Sequence, residues 1–377
     1  MRGLTPQELN RYARQISLDE VGRAGQERLK RSKVLVIGAG GLGCPALTYL
    51  ASCGVGTLGI VDGDRVEESN LHRQILFRHD EIGKPKAETA AARIIEINPN
   101  IRVQPYNERL TAANAVNIIG DFDLILDGSD NFGTRYLVND ACVISGKPWV
   151  SASLFRFSGQ ISVFNLPDAD GGRGPTYRCL YPEPPAAESV PNCSELGVLG
   201  IVPGILGALQ ANEALKVLLG MGTSLSGRVL IINLLTMQSK FLNFERLCDT
   251  DGIGALLPNR IYDEMNSKTC SVPSEVVTPQ ELLALSNDGE ILFELLDVRE
   301  SFEREAASLG GIHIPLAQLD QHLEKLPRDR LLIVYCHSGI RSAKACRQIK
   351  AVFQGLDVRN LQGGIIACPP ELLSQDK

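Results

Sequence analysis

Val34-Leu35-Val36-Ile37-Gly38-Ala39-Gly40-Gly41-Leu42-Gly43 decides how the larger part of this 377-residue chain folds. Four apolar residues make a short strand, a glycine-rich turn follows, and Pro45 to Ala51 opens a helix. The same alternation continues outward. Leu58 to Asp62 reads as a second strand, Pro85 to Ile97 as a helix, and Asp123 to Asp127 as a further strand. Alternation of this kind predicts an α/β fold, a mainly parallel sheet with helices on both faces. Residues 149–165 and 228–237 read as further strands, and Pro203 to Leu219 as a helix closed by Gly220. Residues 166–197, rich in Pro, Gly and Asp, read as a long loop.

The turn is more than a connection. Gly38, Gly40, Gly41 and Gly43 let backbone approach a phosphate, and Asp62 ends the next strand nineteen residues after Gly43. That is a Rossmann-like arrangement, in which the acid bonds a ribose hydroxyl. A glycine turn serving helix–sheet packing alone would look similar, and the default ligand would be a dinucleotide. The residues beyond the second strand fit a triphosphate better than a nicotinamide. Asn70, Arg73, Gln74 and Lys86 supply cations and amides there. Asp127-Gly128-Ser129-Asp130-Asn131 ends a strand at its carboxyl end, where such sheets bind ligands and where a carboxylate can hold Mg²⁺. Arg73 or Lys86 taken singly would be a solvated charge; their joint presence with Asp130 is what points to a site.

Arg11-Tyr12-Ala13-Arg14-Gln15, GAGGLG (38–43), DGDRVEESNLHRQ (62–74), IGKPKA (82–87), DGSDNFGTR (127–135) and Pro182 through Gly207 together resemble the MoeB/ThiF family, bacterial relatives of ubiquitin-activating enzymes. The resemblance covers residues 1–248. It implies that ATP adenylates the C-terminal glycine of a small ubiquitin-like sulfur carrier, MoaD-like or ThiS-like, with release of pyrophosphate. Asp62 would hold the ribose, Asn70, Arg73 and Lys86 the phosphates, and Asp130 magnesium. Asp64, Gln74 and Asn131 join the nucleotide-binding set. Arg14 would reach the nucleotide of the partner protomer, so a homodimer is implied. In similar proteins a loop cysteine, here Cys193, attacks the acyl-adenylate or accepts sulfur; a small apolar loop residue is the other reading, and both stay open. The family often holds a structural zinc between two C-x-x-C pairs. Here each pair keeps one cysteine, Cys179 and Cys248, so a four-cysteine site cannot form and zinc is not expected. Cys44, Cys53 and Cys142 fall in helices or apolar runs and read as core.

A second, smaller α/β unit is expected over 278–377, after a linker at 249–277. Its centre is Val334-Tyr335-Cys336-His337-Ser338-Gly339-Ile340-Arg341-Ser342. Leu331 to Tyr335 reads as a buried strand and Ser342 onward as a helix, so Cys336 sits where loop amides and a helix dipole favour an anion. A thiol there is expected to be nucleophilic. Phosphatases also use a Cys…Arg loop, but with five intervening residues; four intervene here, and the smaller loop suits sulfur. With Leu296 to Glu300, Gly311 to Leu316 and Leu361 to Ile365, the stretch 278–368 resembles a rhodanese (sulfurtransferase) domain. The resemblance implies a persulfide on Cys336 stabilised by loop amides and Arg341, with Asp297 and Arg299 bracing. One departure is Cys368, where the family usually has tryptophan.

Composition sets the outer bounds. The chain is 44% hydrophobic and 22% charged with net charge −6, which argues against nucleic-acid binding. The apolar stretch Gly197–Gly222 contains Gln210, Asn212, Glu213 and Lys216, so it reads as a buried helix rather than a membrane span. The polar N-terminus lacks a signal core, and ten cysteines suit a cytoplasmic, reducing setting. The expected enzyme adenylates a carrier and passes it sulfur from Cys336, loaded by a cysteine desulfurase or thiosulfate. Molybdenum cofactor biosynthesis is the favoured pathway, ahead of thiamine, tRNA thiolation or cysteine synthesis. Adenylation with an idle rhodanese domain, a non-catalytic scaffold and an NAD-dependent oxidoreductase are the alternatives.

Overall fold

The computed structural model describes residues 3–168, 170–184, 197–247, 253–267, 276–288, 292–353 and 355–372. The chain divides after residue 269 into two compact units. In the first, strands β1 (Lys33–Ile37), β2 (Thr57–Val61), β3 (Arg102–Tyr106), β4 (Leu124–Asp127), β5 (Trp149–Phe155), β6 (Ser158–Phe164), β7 (Arg228–Asn233) and β8 (Gln238–Asn243) form one sheet. Its order is β3-β2-β1-β4-β5-β6-β7-β8. Pairing is parallel from β3 to β5 and antiparallel from β5 to β8.

β1 shows why the apolar run becomes a central strand. Val34 and Val36 face one hydrophobic cluster, Leu35 and Ile37 the other, and all four are nearly inaccessible. A strand buried on both faces needs an unbroken apolar run rather than alternation. The chain order reverses between β1 and β4, so a crevice opens beyond their carboxyl ends. Helix Gly43–Ser52 starts there and packs tightly on helix Ile201–Leu219. A Cβ on Gly207 would lie 2.2 Å from the Leu42 carbonyl oxygen, so only glycine permits this approach.

The structure corrects several sequence expectations. The stretches 149–165 and 228–237 are not single strands; each belongs to an antiparallel hairpin. β3 and helix Ala115–Gly120 are additional elements. Helix Ile201–Leu219 begins two residues before Pro203 and ends, as expected, at left-handed Gly220. The described part of the 166–197 loop contains a short helix, Tyr177–Leu180. Residues 253–267 are not connecting chain. Helix Asn259–Ser267 packs on the first unit, with Tyr262 buried in its core and its hydroxyl donating to Asp140 Oδ2 at 2.8 Å.

In the second unit β9 (Val276–Val277), β10 (Phe293–Asp297), β11 (Ile312–His313), β12 (Leu331–Tyr335) and β13 (Val358–Leu361) form an all-parallel sheet in the order β11-β10-β12-β13-β9. β12 is central and entirely buried. Leu332 and Val334 face one cluster, Leu331, Ile333 and Tyr335 the other. Helix Ile340–Val352 follows β12. After β13 the described chain forms only 3-10 turns, at Ile365–Ala367 and Pro370–Leu372. Among the described residues no helix is long and apolar enough to cross a membrane.

Candidate active sites

The glycine turn is built by close contacts. Gly38 has φ +88°, and a Cβ there would meet the Gly128 carbonyl oxygen at 3.1 Å. A Cβ on Gly43 would sit 1.9 Å from the Gly38 carbonyl oxygen. The turn after β1 and the loop after β4 therefore touch across the crevice. Asp62 locks the turn: its Oδ2 accepts from the Ala39 amide at 2.8 Å and its Oδ1 from the Asp64 amide at 2.9 Å. Burial pushes the Asp62 carboxyl above its ordinary range, against the pull of those amides and of Lys86.

Lys86 opens helix Lys86–Ile97, is buried, and places Nζ 3.6 Å from Asp64 Oδ2. Gln74 is buried beside Gly40, and its Oε1 has no hydrogen-bond partner. A buried amide oxygen left this way is destabilising unless a donor arrives. Arg73 donates to Asn70 Oδ1 at 2.7 Å and to the Ser69 carbonyl at 3.0 Å, which fixes both side chains in one turn. Burial and the Arg73 charge both hold the neighbouring His72 below its ordinary pKa. Asp130 is exposed on the loop after β4, whereas Asp127 is fully buried with its carboxyl pushed up by desolvation. The Asn131 side-chain oxygen caps helix Phe132–Ile144 by accepting from the Thr134 amide at 2.9 Å. Arg14 is exposed on the short helix Ala13–Ile16.

Cys193 and Cys248 lie outside the described residues. Cys179 Sγ accepts from the Thr176 amide at 3.3 Å and the Leu247 amide at 3.4 Å, so one cysteine ties the two segments by hydrogen bonds. An ion-pair network supports them. Arg178 binds Asp140 in bidentate fashion at 2.7 Å for both bonds and stacks on the Tyr136 ring, and Tyr262 donates to the same carboxylate. Sequence reasoning missed this network because Asp140 and Tyr262 lie far from Arg178 along the chain.

In the second unit Cys336 is buried directly after β12, and its Sγ accepts from the Gly339 amide at 3.1 Å and the Ser342 hydroxyl at 3.3 Å. Gly339 takes φ +90°, which only glycine adopts without strain. The turn at 363–366 holds the loop from behind. Ile365 N–H donates to the Cys336 carbonyl at 2.9 Å and Ile366 N–H to that of His337 at 3.3 Å. Asp297 and Arg299 brace the neighbouring strand end by bidentate bonds of 2.9 and 2.7 Å. Arg341 is paired within the fold. Its Nη1 and Nη2 both bind the Glu303 carboxylate at 2.6 Å. Arg341 holds Glu303 below its ordinary pKa although burial pushes the other way. Ser342 and Glu303 escaped the sequence reading; Ser342 follows Arg341 directly, whereas nothing in the spacing marks Glu303.

Both sites thus present donors beyond the carboxyl ends of parallel strands, one suited to a phosphorylated ligand and one to a sulfur anion. Comparison with known proteins agrees. The ThiF family matches residues 12–250, and the rhodanese-like domain matches residues 278–367. The chain is 43% identical to the "probable adenylyltransferase/sulfurtransferase MoeZ" of Mycobacterium tuberculosis, over 97% of this chain and 93% of that protein. It is 51% identical to the sulfur carrier protein adenylyltransferase of Thermus thermophilus, over 64% of this chain and 89% of that one. The fold resembles E. coli MccB crystallised with MccA-N7isoASN, at TM-score 0.57 and 22% identity over 66% of this chain and 76% of that one. The chain belongs to the ThiF family, fused to a rhodanese-like domain, and is an adenylyltransferase and sulfurtransferase that uses ATP.

Proposed function

We propose that the first unit adenylates the C-terminal glycine of a ubiquitin-like sulfur carrier and that Cys336 then supplies the sulfur. The observation that carries the reading is the meeting of the glycine turn, Asp62, Gln74 and the loop bearing Asp130 at the β1/β4 crevice, with Lys86 at an adjoining helix start. In this reading Asp62 takes the ribose, and Asn70, Arg73, Gln74 and Lys86 take the phosphates. The orphaned Gln74 Oε1 supports a ligand that brings a donor beside its phosphates, as the hydroxyl or amino groups of a nucleotide do, while the Gln74 amide N–H faces the phosphates. Asp64 orients Lys86, and Arg14 serves the partner protomer of a homodimer. Asp130 would hold Mg²⁺; a single exposed carboxylate suits an ion bound mainly by phosphates and water, which offsets charge as pyrophosphate leaves.

The carrier carboxylate attacks the α-phosphorus and pyrophosphate leaves. The Cys336 persulfide attacks the acyl carbon, AMP leaves, and an acyl disulfide remains. A thiol, from Cys193 or a reductant, attacks the Cys336 sulfur and releases the thiocarboxylate. That attack leaves Cys336 in a disulfide, a second thiol of a dithiol reductant reduces it, and a cysteine desulfurase or thiosulfate then reloads the freed Cys336 thiol with sulfur. The setting is the cytoplasm, and the pathway molybdenum cofactor biosynthesis. The test is ATP–pyrophosphate exchange with a carrier ending in Gly-Gly. Exchange that requires the carrier and falls about a hundredfold in Lys86→Ala supports the reading; tight NAD binding without exchange contradicts it.

A further inference from the structure

The sulfur loop carries a positive charge that is already answered. Arg341 and Glu303 form a two-point ion pair, with side chains only 19% and 18% exposed. Glu303 is itself anchored. It stands in the first turn of helix Ser301–Ala306, where its Oε2 also accepts from the Glu300 amide at 3.0 Å. Its backbone carbonyl accepts from Arg299 Nη1 at 3.2 Å. Arg299 is committed to Asp297, and Arg304 donates to the Gly311 carbonyl at 2.9 Å. The Cys336 sulfur itself is faced by one amide and one hydroxyl.

We propose that Glu303 sets the donor specificity of the loop. By neutralising Arg341 it disfavours a dianionic donor such as thiosulfate and favours a persulfide carried on a protein thiol. The proposal rests on the reading of Cys336 as the sulfur-carrying residue. With thiosulfate, the Cys336 thiolate attacks the outer sulfur, the S–S bond breaks, and sulfite leaves with the electron pair as a dianion. With a protein persulfide, the same attack on the outer sulfur releases a single thiolate. Neither reaction needs an outside oxidant or reductant, and the leaving groups differ by one charge. Glu303 acts through Arg341 and is a positioning residue.

The test uses the full chain with cyanide as acceptor and two donors of similar shape, thiosulfate (dianion) and methanethiosulfonate (monoanion). Glu303→Gln is expected to raise kcat/KM for thiosulfate by about tenfold and for methanethiosulfonate by no more than about threefold, since freeing one cation favours the extra charge. Equal change for both donors, or equal loss, would overturn the proposal and leave Glu303 a structural brace. Circular dichroism checks the fold of the variant. Should it fail to fold, the wild type decides: a neutralised mouth predicts that thiosulfate kcat/KM changes less than about twofold between low and high salt, and a steep fall contradicts it. Cys336→Ala must abolish turnover of both donors. Residual turnover would overturn the assignment of Cys336 itself and, with it, the basis of the proposal.

Discussion

The glycine turn at 38–43 and the sulfur loop at 336–342 use one device in two ways. Each lies after a buried parallel strand, needs a glycine at positive φ, and gathers donors for an anion. They differ in how many segments they draw on. The proposed nucleotide site draws on the β1 turn, Asp62, residues 70–74, Lys86 and the loop after β4. In the sulfur loop Cys336, Gly339 and Ser342 meet within seven residues, and the outside partners only brace it or neutralise Arg341. A ligand as large as ATP requires contacts from several strands, whereas one sulfur atom requires only a loop. Function at the first site should therefore degrade in steps, and at the second it should fail at once.

The sharpest way to break that contrast is Cys336→Ala. It should lower sulfur transfer by at least about a thousandfold and leave ATP–pyrophosphate exchange intact. Loss of both would mean the two sites are not separable. Lys86→Ala should lower exchange by about a hundredfold while thiosulfate–cyanide transfer stays unchanged. Gly43→Ala forces a Cβ to within 1.9 Å of the Gly38 carbonyl oxygen, so it should destabilise the first unit by about 2 kcal/mol and weaken ATP binding, read by thermal melting with and without nucleotide. Tyr262→Phe removes the hydroxyl that donates to buried Asp140 and should destabilise the same unit by about 1 kcal/mol. No change there would place residues 253–267 outside the first unit's cooperative core.

The smallest effect concerns acid. Glu303 has its folded pKa depressed below the ordinary glutamate value of 4.5. A depressed carboxylate contributes stability that is present above its unfolded pKa and lost as pH falls through the folded one. The Arg341 pair is partly exposed, so the contribution should be below about 1 kcal/mol. Melting of the second unit should drop as pH falls below about 4.5, and Glu303→Gln should flatten that drop. An unchanged slope would show that the pair adds nothing to stability.

The same physics explains how legible each region was. β1, β4 and β12 are buried on both faces, so they announce themselves as apolar runs. β3 does not, because it lies at the sheet edge, is largely exposed, and includes Pro105, which has no amide to donate. Helix Asn259–Ser267 hid for a related reason: its core contacts, Tyr262 and Met265, are set among Asn, Arg, Asp and Glu. The glycine turn 38–43 and the acid Asp62 that follows it were readable from spacing, although the bonds Asp62 makes to the Ala39 and Asp64 amides were not. Nor were pairs made across the fold. Arg341 and Glu303 lie thirty-eight positions apart, and only the packing of helix Ser301–Ala306 beside the loop joins them. Sequence spacing thus exposed the two glycine-bearing turns but not the ion pair that meets one of them.

The most direct test of the whole account is the intact mass of a Gly-Gly carrier after incubation with the enzyme, MgATP and a persulfide donor. The account predicts replacement of one carboxyl oxygen by sulfur, dependent on ATP and absent with Cys336→Ala. A carrier that gains sulfur equally well with Cys336→Ala would contradict it.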